Sequence, residues 1–236
     1  MLEEAARRLS EARSVFILTG SGISAESGLP TFRGVGGLWR THRVEELASP
    51  EGFARDPQLV WTWYNERRAA HSRAEPNAAH YAIAQIERRC ERFALATQNV
   101  DSLHLRAGSR NVLELHGHLR EARCTGCSAR RPLDDAFSLD AIDHACGGRF
   151  RPDIVWFGEP LPAPVWQRAV QAAQEADVIV VVGTSGIVHP AASLATTYAR
   201  NAYVIEVNPE ETILTESVDI SLRGNATSIV PALVAA

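Results

Sequence analysis

Gly20, Gly22 and Ala25 stand in the spacing G-x-G-x-x-A directly after a short apolar run at residues 15–18. Glycines at those places let a backbone approach a pyrophosphate, and the amides that follow point at the anion, which is the chemistry of a dinucleotide site. Gly28 and Pro30 then cut short the helix an ordinary dehydrogenase would continue, and residues 31–37 form a glycine-rich loop carrying Phe32 and Arg33, so the unit is a modified one. Other polar residues collect further on: Gln98-Asn99-Val100-Asp101, His116-Gly117, Gly183-Thr184-Ser185 and Asn208-Pro209. A last group is sulfur-rich. Cys124-x-x-Cys127 with Cys146 suggests a zinc-stapled insertion in a reducing compartment more than a disulfide framework.

The elements that must hold these groups follow from periodicity. Apolar runs at 15–18, 93–97, 111–115, 177–182 and 202–207 read as strands, and each polar cluster falls just past the C-terminal end of one of them. Open parallel sheets bind ligands at that edge, so the pattern is that of an enzyme site. Residues 44–48, 50–55, 59–72 and 78–92 read as helices, and Leu2, Ala5, Ala6 and Leu9 mark an amphipathic helix at the N-terminus. The fold class expected is α/β. A Rossmann-like parallel sheet is built from residues 1–35, 81–118 and 159–236, a helical and loop insertion occupies 36–80, and a small zinc-binding insertion occupies 119–158.

Composition narrows the function. The 236 residues carry 24 basic side chains, all arginine, against 28 acids, for a formal charge of −4. No basic stripe supports a nucleic-acid groove, and the longest strongly apolar run, 178–182, is too short to cross a bilayer, so neither nucleic acid nor membrane is an expected partner. The charged N-terminus is unlike a signal peptide, and the expectation is a cytoplasmic protein.

Taken in order, Gly20-Ser21-Gly22-Ile23-Ser24, Thr97-Gln98-Asn99-Val100-Asp101, His116-Gly117, the Cys-x-x-Cys pair, Pro152 through Glu159 and Gly183-Thr184-Ser185 resemble the sirtuins, the NAD-dependent protein lysine deacylases. The resemblance runs from about Val15 to the C-terminus. It implies NAD as co-substrate, one structural zinc per chain, and acyl-lysine proteins or peptides as partners. It makes His116 the general base, a task suited to an imidazole with an unperturbed pKa of about 6.5. Asn99 and Asp101 would hold the nicotinamide carboxamide and Gln98 the ribose. Gly20, Ser21, Gly22, Ile23, Ala25, Phe32, Arg33, Trp39, Gly183, Thr184, Ser185, Asn208 and Ala226 would complete the cofactor site. Ser21 departs from the usual alanine. Val155, Phe157, Gly158 and Glu159 would meet the substrate. Tyr64 and Arg67, three apart and so on one helix face, match the Tyr-x-x-Arg of the branch that takes succinyl and malonyl groups.

For the metal the resemblance implies two Cys-x-x-Cys knuckles, and aspartate stands at the expected cysteine. Position favours Asp143 with Cys124, Cys127 and Cys146; ligand preference favours His144. Two other uses of bound NAD compete with deacylation: mono-ADP-ribosyl transfer, which would label an acceptor protein, and hydride transfer, which would change the nicotinamide absorbance.

Overall fold

The computed structural model describes residues 1–32, 43–133 and 136–235. Numbered in chain order, the strands β1 (Ser14–Thr19), β2 (Arg92–Thr97), β3 (Val112–Glu114), β7 (Val178–Val182), β8 (Tyr203–Asn208) and β9 (Ile220–Arg223) form one parallel sheet in the order β3-β2-β1-β7-β8-β9. β1 and β7 are buried along their whole length, as strands covered on both faces must be. Their side chains alternate between two cores. Ile17, Leu95, Val180 and Ile205 pack under α1 (Leu2–Glu11), α5 (Ala78–Arg89) and α8 (Ala226–Ala235), while Phe16, Leu18, Ile179 and Val181 pack under α7 (Ala163–Gln174) and residues 191–195. The chain builds outward from β1 in one direction and from β7 in the other, so the crevice for a ligand opens between the C-terminal ends of those two strands.

The two turns at that crevice touch backbone to backbone. Gly22 N donates to Gly183 O at 2.8 Å, and Gly183 has φ +60 with no room for a side chain: a Cβ there would lie 2.5 Å from Ile23 N. Only glycine fits at such an approach. Residues 21–27 form a 3-10 helix, and Gly28, in the left-handed region at φ 84, ends it. The interruption expected from Gly28 is therefore present. α5 starts under a capping box, with Asn77 Oδ1 accepting from Ala79 N and His80 Nδ1 accepting from Asn77 N.

The remaining segments make a second, smaller layer. Antiparallel strands β4 (Gly117–Cys124), β5 (Arg130–Pro132) and β6 (Phe150–Ile154) pair in the order β5-β4-β6. Helices α2 (Val44–Leu47), α3 (Pro50–Arg55) and α4 (Pro57–Arg73) pack on them, and the short α6 (Leu103–Arg106) follows β2. Phe53, Trp61 and Tyr64 from the helices share one hydrophobic cluster with Leu119, Phe137, Ile142 and Trp156. Trp61 stacks on Phe137 at 3.9 Å and donates from Nε1 to Phe150 O, and Asn65 clasps the backbone of Phe137 at both N and O. The helical insertion and the cysteine-bearing insertion thus bury each other.

Candidate active site

Where the two layers meet lies a cavity of about 970 Å³. One wall is the glycine turn after β1, with Gly20, Ser21, Gly22 and Ala25, and the turn after β7, with Gly183, Thr184 and Ser185; Asn208 and Ala226 stand beyond them. Gln98 and Asn99 after β2, with His116 after β3, form the floor, and Phe32, Tyr64, Arg67, Val155, Phe157, Gly158 and Glu159 belong to the opposite wall. The structure therefore gathers at one cavity most of the residues singled out from the sequence. Of the described residues expected at the cofactor and substrate, two do not line it. Ile23 is fully buried in the sheet core, and Asp101 sits one layer behind Asn99. Arg33 and Trp39 lie outside the described residues.

Thr184 ties the floor to the wall. Its Oγ1 accepts from Gln98 Nε2 at 3.0 Å, and its carbonyl accepts from Asn208 Nδ2 at 3.0 Å. Asn99 Nδ2 donates to Gly20 O and to Ser24 Oγ, and Ser24 Oγ donates in turn to Asp101 Oδ2 at 2.7 Å. Asp101 Oδ1 accepts from Leu103 N. Burial raises the Asp101 carboxyl above its ordinary range, against the opposing pull of the Leu103 and Ser24 hydrogen bonds. The Asp101 carboxylate thus holds Ser24, and Ser24 in turn holds Asn99, a chain that was not legible locally because Ser24 and Asp101 are 77 residues apart.

His116 is half-buried, and its Nδ1 lies 3.1 Å from the carbonyl oxygen of Gln98. A carbonyl only accepts, so Nδ1 carries the proton and the lone pair of the neutral ring is on Nε2. Burial lowers its pKa, with the Gln98 hydrogen bond acting the other way. The ring is a neutral imidazole ready to accept a proton at one defined atom.

At the other end, Arg67 on α4 is only 9% exposed. Its guanidinium lies over the rings of Trp63 at 4.8 Å and Phe32 at 4.9 Å, and Nη2 is 3.3 Å from His71 Nε2. Among the described residues it forms no ion pair; burial lowers its pKa to about 10, opposed by the fields of Tyr64 and Asp101. Tyr64, also buried, accepts from Trp156 Nε1 at 2.8 Å, which leaves its O–H to donate elsewhere. Burial raises its pKa to about 12. Trp156 is itself fixed: Arg151, 4% exposed, lies 3.3 Å over its ring, and Glu159 accepts from both Arg151 Nη2 and Trp156 N. Burial opposes ionisation of Glu159, but its hydrogen bonds from Arg151 and Trp156 N prevail and lower its pKa. Glu159 lines the cavity while its charge is spent on holding Trp156.

In the small sheet the sulfurs of Cys124, Cys127 and Cys146 and His144 Nδ1 all lie within 4.8 Å of one another. Cys124 Sγ is 3.5 Å from Cys146 Sγ and from His144 Nδ1, and Cys127 Sγ is 3.5 Å from the same nitrogen. Two sulfurs each 2.3 Å from a tetrahedral zinc are about 3.8 Å apart, so four such donors fit that ion. Asp143, the ligand that position favours, is not brought to this cluster. Its side chain is 87% exposed and pairs with Arg149 at 3.2 Å, because the turn at 143–149 directs the imidazole inward and the carboxylate outward. Cys90 is a half-buried C-cap of α5, packed against the sheet core.

A model of the Sir2 family matches residues 20–190. The NAD-dependent protein deacylase of Thermus thermophilus is 53% identical over 95% of this chain and 91% of its own length, and NAD-dependent protein deacylase 1 of Archaeoglobus fulgidus is 48% identical over 99% and 97%. A solved Sir2 homologue in complex with NAD superposes with a TM-score of 0.91 at 48% identity, covering 99% of this chain and 92% of that one.

Proposed function

The chain belongs to the Sir2 family, and from that premise we propose how its residues divide the work of an NAD-dependent protein lysine deacylase. NAD supplies the ribose that accepts the acyl group, so the products are nicotinamide, free lysine and O-acyl-ADP-ribose. His116 takes the proton of a ribose hydroxyl at Nε2, the one atom of its ring left able to accept. Asn99, held by Gly20 and Ser24, and Gln98, held by Thr184, define the floor against which the nicotinamide ribose sits. Asp101 acts through Ser24 and Asn99. Ser185, Asn208 and Ala226 serve the adenosine half. Cys124, Cys127, Cys146 and His144 would hold a structural zinc ion that fixes the loops of the small sheet.

The acyl group is read by Arg67 and Tyr64, and the observation that carries this is a buried arginine on the cavity wall with no ion pair among the described residues. Leaving a guanidinium in a desolvated place without an anion is costly unless an anion arrives with the substrate. A succinyl or malonyl carboxylate supplies it, accepting two parallel hydrogen bonds from the guanidinium and one from Tyr64. The test is mass spectrometry of acetyl-, malonyl- and succinyl-lysine peptides incubated with the protein and NAD, for wild type and Arg67→Met. Losing one partner of such a pair costs about 2–5 kcal/mol, so the ratio of desuccinylation to deacetylation efficiency should drop at least ~30-fold. A variant that lowers both activities equally would leave the deacylase standing and remove the acidic-acyl assignment.

A further inference from the structure

We propose that His71 is a positioning residue for acyl specificity: an uncharged acceptor that fixes the Arg67 guanidinium without cancelling its charge. The inference rests on the acidic-acyl reading of Arg67 given above. His71 lies one helical turn beyond Arg67 on α4, is 8% exposed, and stands behind Arg67 without lining the cavity itself. Its Nε2 is 3.3 Å from Arg67 Nη2. A guanidinium only donates, so that nitrogen accepts and the ring proton is on Nδ1. The aromatic rings of Trp63 and Phe32 meet the faces of the guanidinium, and His71 holds one of its edges. What remains for a ligand is the remainder of its donor fork, aimed in one direction.

The choice of acceptor matters. Most buried arginines are satisfied by Asp or Glu, and such a pair would hold Arg67 equally well but would neutralise it before any substrate arrived. A neutral imidazole satisfies one N–H and leaves the full positive charge for the incoming carboxylate. The ring stays neutral at ordinary pH, because burial, together with the charge of Arg67, lowers its pKa to about 3. Arg106 Nη1 donates to the carbonyls of His71 and Ala74 and so holds the backbone where α4 ends, while the ring's own Nδ1 is buried with no hydrogen-bond partner among the described residues, which leaves Arg67 as the polar contact of the ring.

The proposal orders three substitutions by the ratio of desuccinylation to deacetylation kcat/KM. His71→Gln presents an amide oxygen near the position of Nε2 and should keep the ratio within about twofold of wild type, rescuing the function with a neutral acceptor. His71→Leu removes the acceptor, leaves Arg67 free to turn, and should lower the ratio about 3- to 10-fold, mostly through a raised KM for the succinyl peptide. His71→Glu supplies an acceptor that also cancels the charge, and should lower it furthest, by ~10-fold or more. Deacetylation reports folding in each case. If His71→Glu keeps the wild-type ratio, or His71→Gln falls as far as His71→Leu, the proposal is overturned; the Gln and Leu pair decides even if the Glu variant does not fold. Arg67→Met, measured alongside, separates the two levels. A selective loss there with no ordering among the His71 variants removes only the role of His71, whereas no selective loss there removes the acidic-acyl reading beneath it.

Discussion

A histidine becomes a base at one atom only when its other nitrogen is spoken for, and the Gln98 carbonyl does this for His116. Two outcomes follow. His116→Ala should lower deacylation by about 10²- to 10⁴-fold while NAD still binds, because the side chain acts on a cofactor already held by the glycine turns. Single-turnover release of nicotinamide and deacylated peptide, with NAD binding measured separately, checks this; more than half the wild-type rate would take His116 out of the mechanism. The pH profile of kcat/KM should show an acid limb below the ordinary imidazole value of about 6.5, since the neutral ring is the active form and burial lowers its pKa. A limb at or above that value would mean that another group controls the rate. The residue types at the site were legible, because Asn99, His116 and Arg67 sit at recognisable places in the sequence. How they are oriented was not: Asp101 reads as a partner of Asn99, and its carboxylate is turned to Ser24 and Leu103, a matter of side-chain direction that no local pattern encodes.

At the scale of elements, the parallel sheet was visible as apolar runs ending in polar clusters, and β1, β2, β7 and β8 lie where those runs are. The small sheet was not. β4 mixes buried and exposed positions with a register shift between Gly117 and Ala122, and β5 is three exposed residues, so neither gives a clean two-residue period. Its core is built from Trp61, Phe137 and Trp156, which meet only through the fold. The same turn geometry places the His144 imidazole, and not the Asp143 carboxylate, beside the three sulfurs, an alternative that spacing left open. The metal assignment predicts near one zinc per chain by elemental analysis, retained in Asp143→Ala and weakened in His144→Ala, and a strong chelator should lower the melting temperature, because ion binding is coupled to ordering of loops that bury so little. Zinc content equal in the two variants would reject His144 as ligand. At the crevice, Gly183→Ala should cost at least about 2 kcal/mol in denaturant unfolding, since the added carbon meets Ile23 N and the residue is held at positive φ. A change below half of that would show that the two turns can part without disturbing the sheet.

For the whole molecule the stability should depend on acid through histidines the chain buries uncharged. His80 and His104 lie under the crevice with ring centroids 4.8 Å apart, and His71 stands behind Arg67; they are 0%, 2% and 8% exposed. Burial lowers the pKa of His80 to about 4 and that of His71 to about 3, in the latter case with help from Arg67, and holds His104 well below the usual imidazole range, with help from His80. In the unfolded chain each titrates near its ordinary value of about 6.5. Above that pH neither state binds the proton and stability is flat. As pH falls below it, the unfolded chain takes up protons the folded chain refuses, so unfolding becomes easier, by up to about 1.4 kcal/mol per pH unit for each histidine. The loss should continue until the folded-state values are reached. Urea unfolding at constant ionic strength should therefore show little change from about pH 8 to 7 and a loss of roughly 5 kcal/mol between about pH 6.5 and 5. Acid also protonates the cysteine ligands and releases metal, but that part of the loss shifts with added zinc, whereas the histidine part does not. Stability unchanged between about pH 7 and 5 at saturating zinc would show that these rings accept protons in place, and the neutral state assigned to His71 would fall with them.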